Sequence, residues 1–463
     1  MKDVVIVGGG LAGLSAAWKL RHWDIAVLES GDRVGGRIRS ERRGRYWLNW
    51  GGHVFAGPGT STDALLNETG IAATQVPGSL AGLSMNGRLL LKGRIESYPF
   101  RIPMSNADRL AMIKTGIKVG SKVLKYAKAV QQRPGEDPAV RQQRIYDFEN
   151  DRSFADFVGD LPEDAEALFR PTVTRSAADP DELAAGAGIG YFSLVWNIGQ
   201  GLNRGIVGGP STLTQGIAAA LGDRIHLDSP VQEIVHRRNS VVVRYHENGV
   251  DQEVEARYVV LATPATVAHQ VAVDLPEDVR GALGKIVYGP YVAAAFLTDE
   301  TGPRRWDSAY GIATPKRSFN IVLNQASIVR GSETTRQPGG SIMTFSPAGL
   351  ARTLLAKTDS EITAIYLDDL DQVLGNEFSP SVVESHIQRW ETGAPYCFPG
   401  RGKLQPTLTR RSSRVLLAGD YLGTLYTETS ISTGFSAASE AASQLASEGQ
   451  QARKTPTALT TVH

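Results

Sequence analysis

The sequence has a single cysteine, no surplus of charge of either sign and no long apolar run. Its 463 residues carry 49 Lys and Arg against 48 Asp and Glu, and Cys397 is the one thiol. One cysteine excludes an intramolecular disulfide framework and a cysteine-cluster metal site, so we expect no metal centre. The balanced charge gives no reason to expect a nucleic-acid partner, because phosphate binding usually needs a basic surplus.

Signals for secretion or membrane insertion are also lacking. No apolar run approaches the roughly 18 residues that span a bilayer, and the chain opens directly into a strand pattern at Val4. The length exceeds the about 250–300 residues of a single core, which favours two domains. These general features predict a cytoplasmic, two-domain, glycine-rich enzyme.

The most informative feature is a glycine-rich turn between a buried strand and a helix at the N-terminus. The β-branched run Val4–Val7 leads into GGGLAG at residues 8–13, which fits G-x-G-x-x-G. In such a turn Gly8 permits the bend, Gly10 lets the backbone approach a pyrophosphate, and Gly13 lets the helix pack on the strand.

The start of that helix and the end of the next strand complete a dinucleotide pattern. The helix N-terminus, at Leu11 and Ala12, offers free N–H groups and a positive dipole end to a pyrophosphate. A second buried strand, Ile25–Leu28, ends at Glu29. The Glu29 carboxylate can accept a hydrogen bond from a ribose hydroxyl, so the unit predicts a dinucleotide site.

The following residues narrow the nucleotide to FAD. The segment ESGDRVGGR at residues 29–37 resembles the E-x(3)-R-x-G-G-R segment of FAD-binding, amine-oxidase-like flavoproteins. The resemblance implies that Gly35 and Gly36 pass close to the flavin and that Arg33 and Arg37 lie over the pyrophosphate and isoalloxazine side. Independently, arginine is well suited to bind phosphate in a bidentate manner.

Three further segments resemble parts of the same family in the family's order. Gly51-Gly52-His53 resembles the segment that lines the far side of the flavin, and Val231 matches the residue whose backbone contacts adenine. Residues 418–438 resemble the motif with which the sequences of this family close their FAD-binding domain. This resemblance implies that the ribityl or pyrophosphate group is bound near Gly419 and Asp420. It also implies that a helix starting at Ser430 and Ile431 faces the flavin pyrimidine. No cysteine lies in this closing motif, which favours non-covalent FAD.

The resemblance covers nearly the whole chain and implies a Rossmann-like, doubly wound α/β FAD-binding domain with an inserted α+β substrate domain. We expect the FAD-binding domain to comprise residues 1–80, 205–265 and 385–445. Residues 81–204 and 266–384 are expected to form the substrate domain. Residues 446–463 are polar and low in aromatics, so we expect a disordered tail.

Candidate catalytic residues are few, because in this family the cofactor carries the chemistry. His53 and Tyr396 are the candidates, and each is about as well explained as a structural residue. Tyr191, Trp196, Trp390 and Tyr396 are candidate walls of a substrate cavity. Amine oxidases usually place a lysine near the flavin, on a strand that follows the middle segment of the FAD-binding domain. In this sequence Ala293 is at the matching position.

The leading functional hypothesis is an FAD-dependent oxidase or dehydrogenase that acts on a C–N or C–C bond of a small, fairly apolar molecule. The missing lysine favours relatives that resemble protoporphyrinogen oxidases or desaturases over simple amine oxidases. Residues 52–55 and 97–100 faintly resemble flavin-dependent sugar mutases. A desaturase, an isomerase, a sugar mutase and a non-catalytic flavin-binding protein therefore remain as alternatives.

One basic segment, residues 105–130, suggests a second partner. Between residues 102 and 130 there are six basic residues and one acid, Asp108, with apolar residues on a neighbouring face. A basic amphipathic helix can lie on an anionic lipid surface, which would suit a lipophilic substrate, although a solvated helix face is the commoner explanation. The oligomeric state is not predicted.

Overall fold

The computed structural model describes residues 1–76, 82–93, 95–196, 202–331, 333, 335–411 and 413–454. Nineteen strands lie in the described ranges: β1 Lys2–Val7, β2 Ile25–Leu28, β3 Ser40–Arg43, β4 Tyr46–Asn49, β5 Phe55–Ala56, β6 Ala73–Gln75, β7 Gly82–Met85, β8 Arg88–Leu90, β9 Leu202–Ile206, β10 Ile225–His226, β11 Val231–His236, β12 Val241–Glu247, β13 Val250–Leu261, β14 Tyr288–Thr298, β15 Gly311–Ala313, β16 Ile321–Asn324, β17 Gly340–Pro347, β18 Val382–Pro395 and β19 Val415–Leu417.

Fifteen α-helices lie in the same ranges: α1 Leu11–Lys19, α2 Ser61–Thr69, α3 Asn106–Val130, α4 Pro138–Asp147, α5 Phe154–Val158, α6 Glu163–Thr174, α7 Ala185–Val195, α8 Ser211–Leu221, α9 Ala265–Val271, α10 Glu277–Gly284, α11 Ser327–Arg330, α12 Ala348–Leu354, α13 Asp359–Leu374, α14 Gln405–Leu408 and α15 Tyr426–Lys454. None of these described helices is long and apolar enough to cross a bilayer.

The first sheet forms the nucleotide-binding layer. Its strands lie in the order β10-β2-β1-β13-β12-β11, with β19 paired to the far end of β13. The pairings among β10, β2, β1, β13 and β19 are parallel, whereas β11, β12 and the start of β13 form an antiparallel meander. Helices α1, α8 and α15 cover one face and α9 and α10 the other. Burial on both faces explains the continuous β-branched runs in β1 and β13, and the doubly wound α/β class is confirmed.

The second sheet has the order β18-β14-β17-β16-β15-β7-β8. Alternation along β14 gives it two apolar faces. Val292, Ala294 and Phe296 pack on α13, and Ala293 and Ala295 face the other way, toward the β3–β4 hairpin. Helices α3 to α7 form a separate helical cluster with its own apolar core. The substrate domain therefore combines a mixed sheet with a helical region.

Two parts of the chain lie across the boundaries expected from the sequence. Residues 265–284 form α9 and α10, whose apolar residues pack on the first sheet, so they belong to the nucleotide layer. Strand β18 runs to Pro395 in the second sheet, which moves residues 385–395 to the substrate side.

The C-terminal segment differs from expectation as well. Helix α15 begins at Tyr426, not near Ile431, and continues to Lys454. Residues 446–454, expected to be disordered, are therefore helical, and buried Leu445 anchors this part of the helix in the first core. Residues 455–463 lie outside the described residues.

Candidate functional site

The turn between β1 and α1 brings backbone, not side chains, to the surface of a cleft. Gly8 has φ +102°, and a Cβ there would meet the carbonyl oxygen of Ala262 at 2.9 Å. A Cβ on Gly13 would overlap the carbonyl oxygen of Gly8. A Cβ on Gly10 would meet no atom within 4 Å, and α1 has no side-chain cap. The first two glycines are thus needed for packing, whereas Gly10 has open space beside it at the uncapped N-terminus of α1, which begins at buried Leu11 and Ala12.

Glu29 stabilises the loops around this turn. Its carboxylate accepts hydrogen bonds from the backbone N–H of Gly9 at 2.7 Å and of Gly31 at 2.9 Å. The backbone N–H of Ser229 donates to the Glu29 carbonyl at 2.8 Å. Val231 follows two residues later at the start of β11, so the segment predicted to contact adenine runs beside the residue predicted to bind ribose.

The paired glycines form the second wall of the cleft. Gly35 and Gly36 both have positive φ, and the Gly35 N–H donates to the carbonyl of Gly9 at 2.8 Å. Gly36 approaches Gly10 so closely that a Cβ on Gly36 would lie 3.4 Å from the Gly10 Cα. The Arg33 guanidinium donates to the carbonyl of Gly36 at 2.8 Å and to neighbouring carbonyls, so it braces this turn from within.

Arg37 joins the N-terminal and C-terminal segments of the chain. Its guanidinium makes a bidentate ion pair with Asp420, at 2.9 and 2.8 Å, and also donates to the carbonyl of Gly393 at 3.0 Å. Asp420 is 7% exposed. A bidentate pair of this kind fixes both side chains, and it places the two sequence-distant motifs at one point.

The start of α15 approaches the same point. Gly419 has φ +151°, and its N–H donates to the Thr433 hydroxyl at 3.0 Å. Ser430 lies in the first turns of α15, and Ile431 is fully buried in the core that α1 and α15 share. Helix α15 therefore begins beside the Gly419 turn, as the family resemblance implies, although its first residue is five positions earlier than expected.

The Gly51-Gly52-His53 segment crosses between the two sheets. A Cβ on Gly51 would overlap the Arg37 carbonyl, and the Gly52 N–H donates to that carbonyl at 3.0 Å. The Nδ1 atom of His53 lies 3.3 Å from the Gly51 carbonyl oxygen. Burial, with a smaller contribution from the nearby Arg175 guanidinium, lowers the pKa of His53 to about 4, although the hydrogen bond to the Gly51 carbonyl acts to raise it. His53 is therefore neutral at physiological pH.

Four aromatic side chains form a cluster, and one of them, Phe345, contacts His53. The hydroxyl groups of Tyr191 and Tyr426 are hydrogen-bonded to each other, and their rings are stacked with centroids 6.4 Å apart. The Phe345 ring lies 6.2 Å from His53 and 5.6 Å from Tyr291. Burial raises the pKa values of all three tyrosines, so they are neutral hydroxyl groups. This aromatic cluster provides apolar surface and neutral donors.

Tyr291 connects this cluster to the nucleotide cleft. Burial raises its pKa, and the positive charges of Arg175 and Arg37 lie close enough to oppose that increase. The Tyr291 hydroxyl donates to the backbone carbonyl of Arg175. The nucleotide-binding residues and the aromatic cluster therefore meet at Tyr291, whose ring contacts Phe345 and whose hydroxyl group lies within range of the Arg37 charge.

The other predicted wall residues are dispersed. Trp390 is in β18, and its indole N–H donates to the Trp50 carbonyl at 2.8 Å, which holds the loop before Gly51. Trp196 ends α7 and packs on Phe192 and Gly120 within the helical cluster. Tyr396 is near the charged side chains of Glu182 and Arg352, and the structure does not bring it to His53.

The reason for the position of Tyr396 is the alternation of an extended chain. Its neighbours Pro395 and Cys397 line a cavity of about 1620 Å³, whereas Tyr396 is not among the lining residues. The same cavity is lined by Tyr191, Tyr426 and the end of α3. Burial raises the pKa of Cys397 to about 11, so this thiol is protonated.

Ala293, at the position where the resemblance to amine oxidases leads us to expect a lysine, is buried. Ala293 pairs with Phe345 across the sheet and packs with Trp47 and Tyr310. Among the described residues, no group of three His, Cys, Asp or Glu side chains could hold a metal ion.

Sequence reasoning missed Arg175, Tyr291, Phe345 and Tyr426. Tyr291 was within reach, because it lies two residues before Ala293 and alternation places both on one face of β14. Tyr426 was hidden by the late start assigned to α15. Nothing local marks Arg175, which follows α6 outside any motif.

Comparisons with known proteins agree with this geometry. The sequence profile of the family described as flavin containing amine oxidoreductase matches residues 11–446. A probable flavin-containing monoamine oxidase A of Dictyostelium discoideum is 26% identical over 58% of this chain and 59% of that protein. A coproporphyrinogen III oxidase of Mycobacterium tuberculosis is 26% identical over 91% of this chain and 93% of that protein. A solved structure of putrescine oxidase bound to putrescine has a TM-score of 0.75 and 20% identity, covering 96% of this chain and 99% of that one.

The fold and cleft define an FAD-dependent oxidoreductase. The chain belongs to the flavin containing amine oxidoreductase family. The residues present fit FAD, since open space at Gly10, an uncapped helix N-terminus and the Arg37 cation face one cleft. These are the features that a pyrophosphate needs.

Proposed function

We propose that the protein binds FAD non-covalently and oxidises a C–N or C–C bond of a small molecule bound against the aromatic cluster. FAD, when bound, supplies the hydride acceptor. The observation that carries the proposal is that Tyr291 lies near Arg37 of the nucleotide site, contacts the Phe345 ring and is close to Tyr426, which stacks on Tyr191. A substrate on that wall would lie beside the end of the cleft where the family binds the flavin ring.

The roles of the individual residues follow from their charge and position. The first turn of α1 and Arg37 would bind the pyrophosphate, Glu29 the ribose and the Val231 backbone the adenine. Neutral His53 offers a hydrogen-bonding nitrogen on the substrate side without adding charge. Aromatic walls orient an apolar substrate and exclude water, which favours hydride transfer over side reactions. We also propose that the protein acts in the cytoplasm.

The oxidised bond of the substrate belongs to one of two classes, C–N or C–C, and Ala293 bears on the choice between them. Because a lysine is absent there, the buried alanine supports a reaction similar to the oxidation of a porphyrinogen. The match to a coproporphyrinogen III oxidase along nearly all of both chains supports the same reaction. The matches to amine oxidases support the C–N alternative.

Two measurements test the proposal. Precipitation of the holoprotein with acid should release all FAD into the supernatant, and a pellet that stays yellow would contradict non-covalent binding. The holoprotein is then mixed without air with amines and with porphyrinogens, and the flavin absorbance is followed. Bleaching by a member of either set supports the proposed reaction, whereas activity only after prior reduction, with a nucleotide sugar, would replace it by a mutase.

A further inference from the structure

Arg175 is a cation beside the aromatic cluster, and among the described residues it has no acidic partner. It follows the last residue of α6, and its guanidinium lies 5.9 Å from the centre of the Tyr191 ring. The positive charge of Arg175 also acts to lower the pKa values of His53 and Tyr291. In the part of the chain that the structure describes, no carboxylate pairs with the Arg175 side chain.

Two neighbouring arginines differ from Arg175, because each of them forms ion pairs with acidic side chains. Arg170, on the same helix, makes ion pairs with Glu166 at 2.7 Å and with Asp179 at 3.3 Å. Arg352 pairs with Asp179 at 3.0 Å and with Glu182 at 2.8 Å. The acids of this region are therefore already engaged, and Arg175 is directed to tyrosine rings and a neutral histidine instead.

We propose that Arg175 binds a carboxylate of the substrate, so that the substrate of the proposed oxidoreductase is an organic acid. A half-buried guanidinium among aromatic rings gains most from an anionic partner, and its planar fork matches a carboxylate in a bidentate manner. The aromatic cluster then contacts the apolar part of the same molecule. This inference rests on the proposed function for the location of the pocket, and it gives the substrate an acidic group.

The test is binding of simple acids to the holoprotein, measured by isothermal titration calorimetry. The probes are benzoate, 3-phenylpropionate and octanoate, each compared with its neutral amide. The wild-type protein should bind at least one acid tenfold or more tightly than the matching amide. Arg175→Gln should remove that preference and Arg175→Lys should restore part of it, while Arg170→Gln, the control, should keep it.

Several outcomes would overturn the inference. They are a wild-type protein that does not prefer acids, a preference that survives in Arg175→Gln, or a loss of FAD affinity in that variant, which would assign Arg175 to the cofactor. Because the readout is binding rather than turnover, a failure of the proposed reaction would leave these results interpretable.

A second, independent observation concerns the outer face of α3. Leu110, Ile117 and Leu124 are 54%, 69% and 63% exposed, and their seven-residue spacing keeps them on one side of the helix. Exposed lysines lie along the same side, at positions 114, 118, 125 and 128. The opposite side, with Thr115, Val119 and Val123, is buried against the helical cluster.

The acids near α3 do not neutralise this face. Asp108 accepts hydrogen bonds from the backbone N–H of Asp164 and Ala165, and Glu149 pairs with Lys122 and Arg152. Two copies of the face would bring rows of lysine together, which opposes self-association. An anionic surface complements them, and the apolar row can enter its interior.

We infer that the outer face of α3 binds an anionic lipid surface. The location suits a lipophilic acid, because Tyr126, Ala127 and Val130 at the end of α3 line the cavity that reaches Tyr191 and Tyr426. Ile113 and Ala127 on the same helix are partly buried, so the exposed apolar row consists of Leu110, Ile117 and Leu124.

Sedimentation of the holoprotein with vesicles tests this surface. Vesicles of phosphatidylcholine with 30% phosphatidylglycerol should bind the protein at least tenfold more strongly than pure phosphatidylcholine, and 0.5 M salt should weaken that binding. Ile117→Glu/Leu124→Glu should abolish it. The control is Val140→Glu/Val383→Glu, which changes two valines that are 59% and 58% exposed elsewhere. Equal binding to both vesicle types, or self-association that the first double variant removes, would overturn the inference.

Discussion

The nucleotide cleft and the aromatic cluster are built in different ways. The cleft is lined by backbone, with glycines at positions where a side chain would collide or would fill the space of a ligand. The cluster is built of side chains from α7, β14, β17 and α15, which come together only in the folded chain. A backbone site leaves a local sequence motif, whereas a side-chain site depends on distant packing.

The two regions therefore differ in how they tolerate change. At Gly8 and Gly13 of the cleft a side chain would overlap the backbone, so substitutions there are expected to damage both the fold and cofactor binding. Substitutions in the cluster remove single contacts and are expected to alter affinity while the fold survives. Four substitutions test this difference between the two regions.

The largest effect is expected for Gly13→Ala. The added Cβ overlaps the Gly8 carbonyl, so the helix must shift, at a cost of about 3 kcal/mol or more. Gly10→Ala is the matched change, because its Cβ meets no protein atom. Thermal unfolding of the two apoproteins should show a large drop for Gly13→Ala and little change for Gly10→Ala, whose FAD affinity should nevertheless fall at least tenfold. Equal melting temperatures would contradict the packing role.

Asp420→Asn should have the next largest effect. The change leaves the Arg37 guanidinium without its carboxylate partner, and we expect a loss of about 2–3 kcal/mol in the free energy of unfolding together with weaker FAD binding. Urea unfolding measures the first and fluorescence titration the second. Asp278→Asn removes one acid of an exposed pair with Arg410 and should cost less than about 0.5 kcal/mol.

His53 should make stability depend on pH in a defined range. Its pKa is about 4 in the folded protein and about 6.5 in an unfolded chain. Between these values the unfolded state binds more protons, so stability is greatest above pH 6.5 and falls as the pH is lowered toward 4, by up to about 3 kcal/mol. The difference in unfolding free energy between wild type and His53→Gln should follow this course. A difference that does not change with pH would contradict a neutral, buried His53.

Tyr191→Phe should have the smallest effect. It removes one hydroxyl group of the pair with Tyr426 and leaves both rings stacked, so a stability loss of about 1 kcal/mol is expected. FAD affinity should be unchanged, which equilibrium titration can check. A large loss of FAD affinity would show that the aromatic cluster and the nucleotide cleft are not separable.

The same contrast explains how much the sequence could predict. Gly8, Gly10, Gly13, Gly35 and Gly36 could be placed from the sequence, because backbone conformation near a turn is determined by a few adjacent residues. The family resemblance assigned both Asp420 and Arg37 to the cofactor, but their ion pair was not predicted, since no local rule joins residues so far apart.

The substrate side was predicted less well. Tyr396 was chosen because of its motif, but alternation along the chain turns Pro395 and Cys397 to the cavity instead. Arg175 has no periodic or motif signal, and its importance rests on the absence of a neighbouring acid, which only the folded structure reveals.

The central claim is that segments from both ends and the middle of the chain form one FAD site. Hydrogen–deuterium exchange of the apoprotein and the FAD-loaded protein tests it most directly. The account predicts that FAD slows exchange together in residues 8–13, 29–37, 50–53, 228–232 and 419–433. Slower exchange confined to residues 8–37, with no change at 419–433, would contradict it.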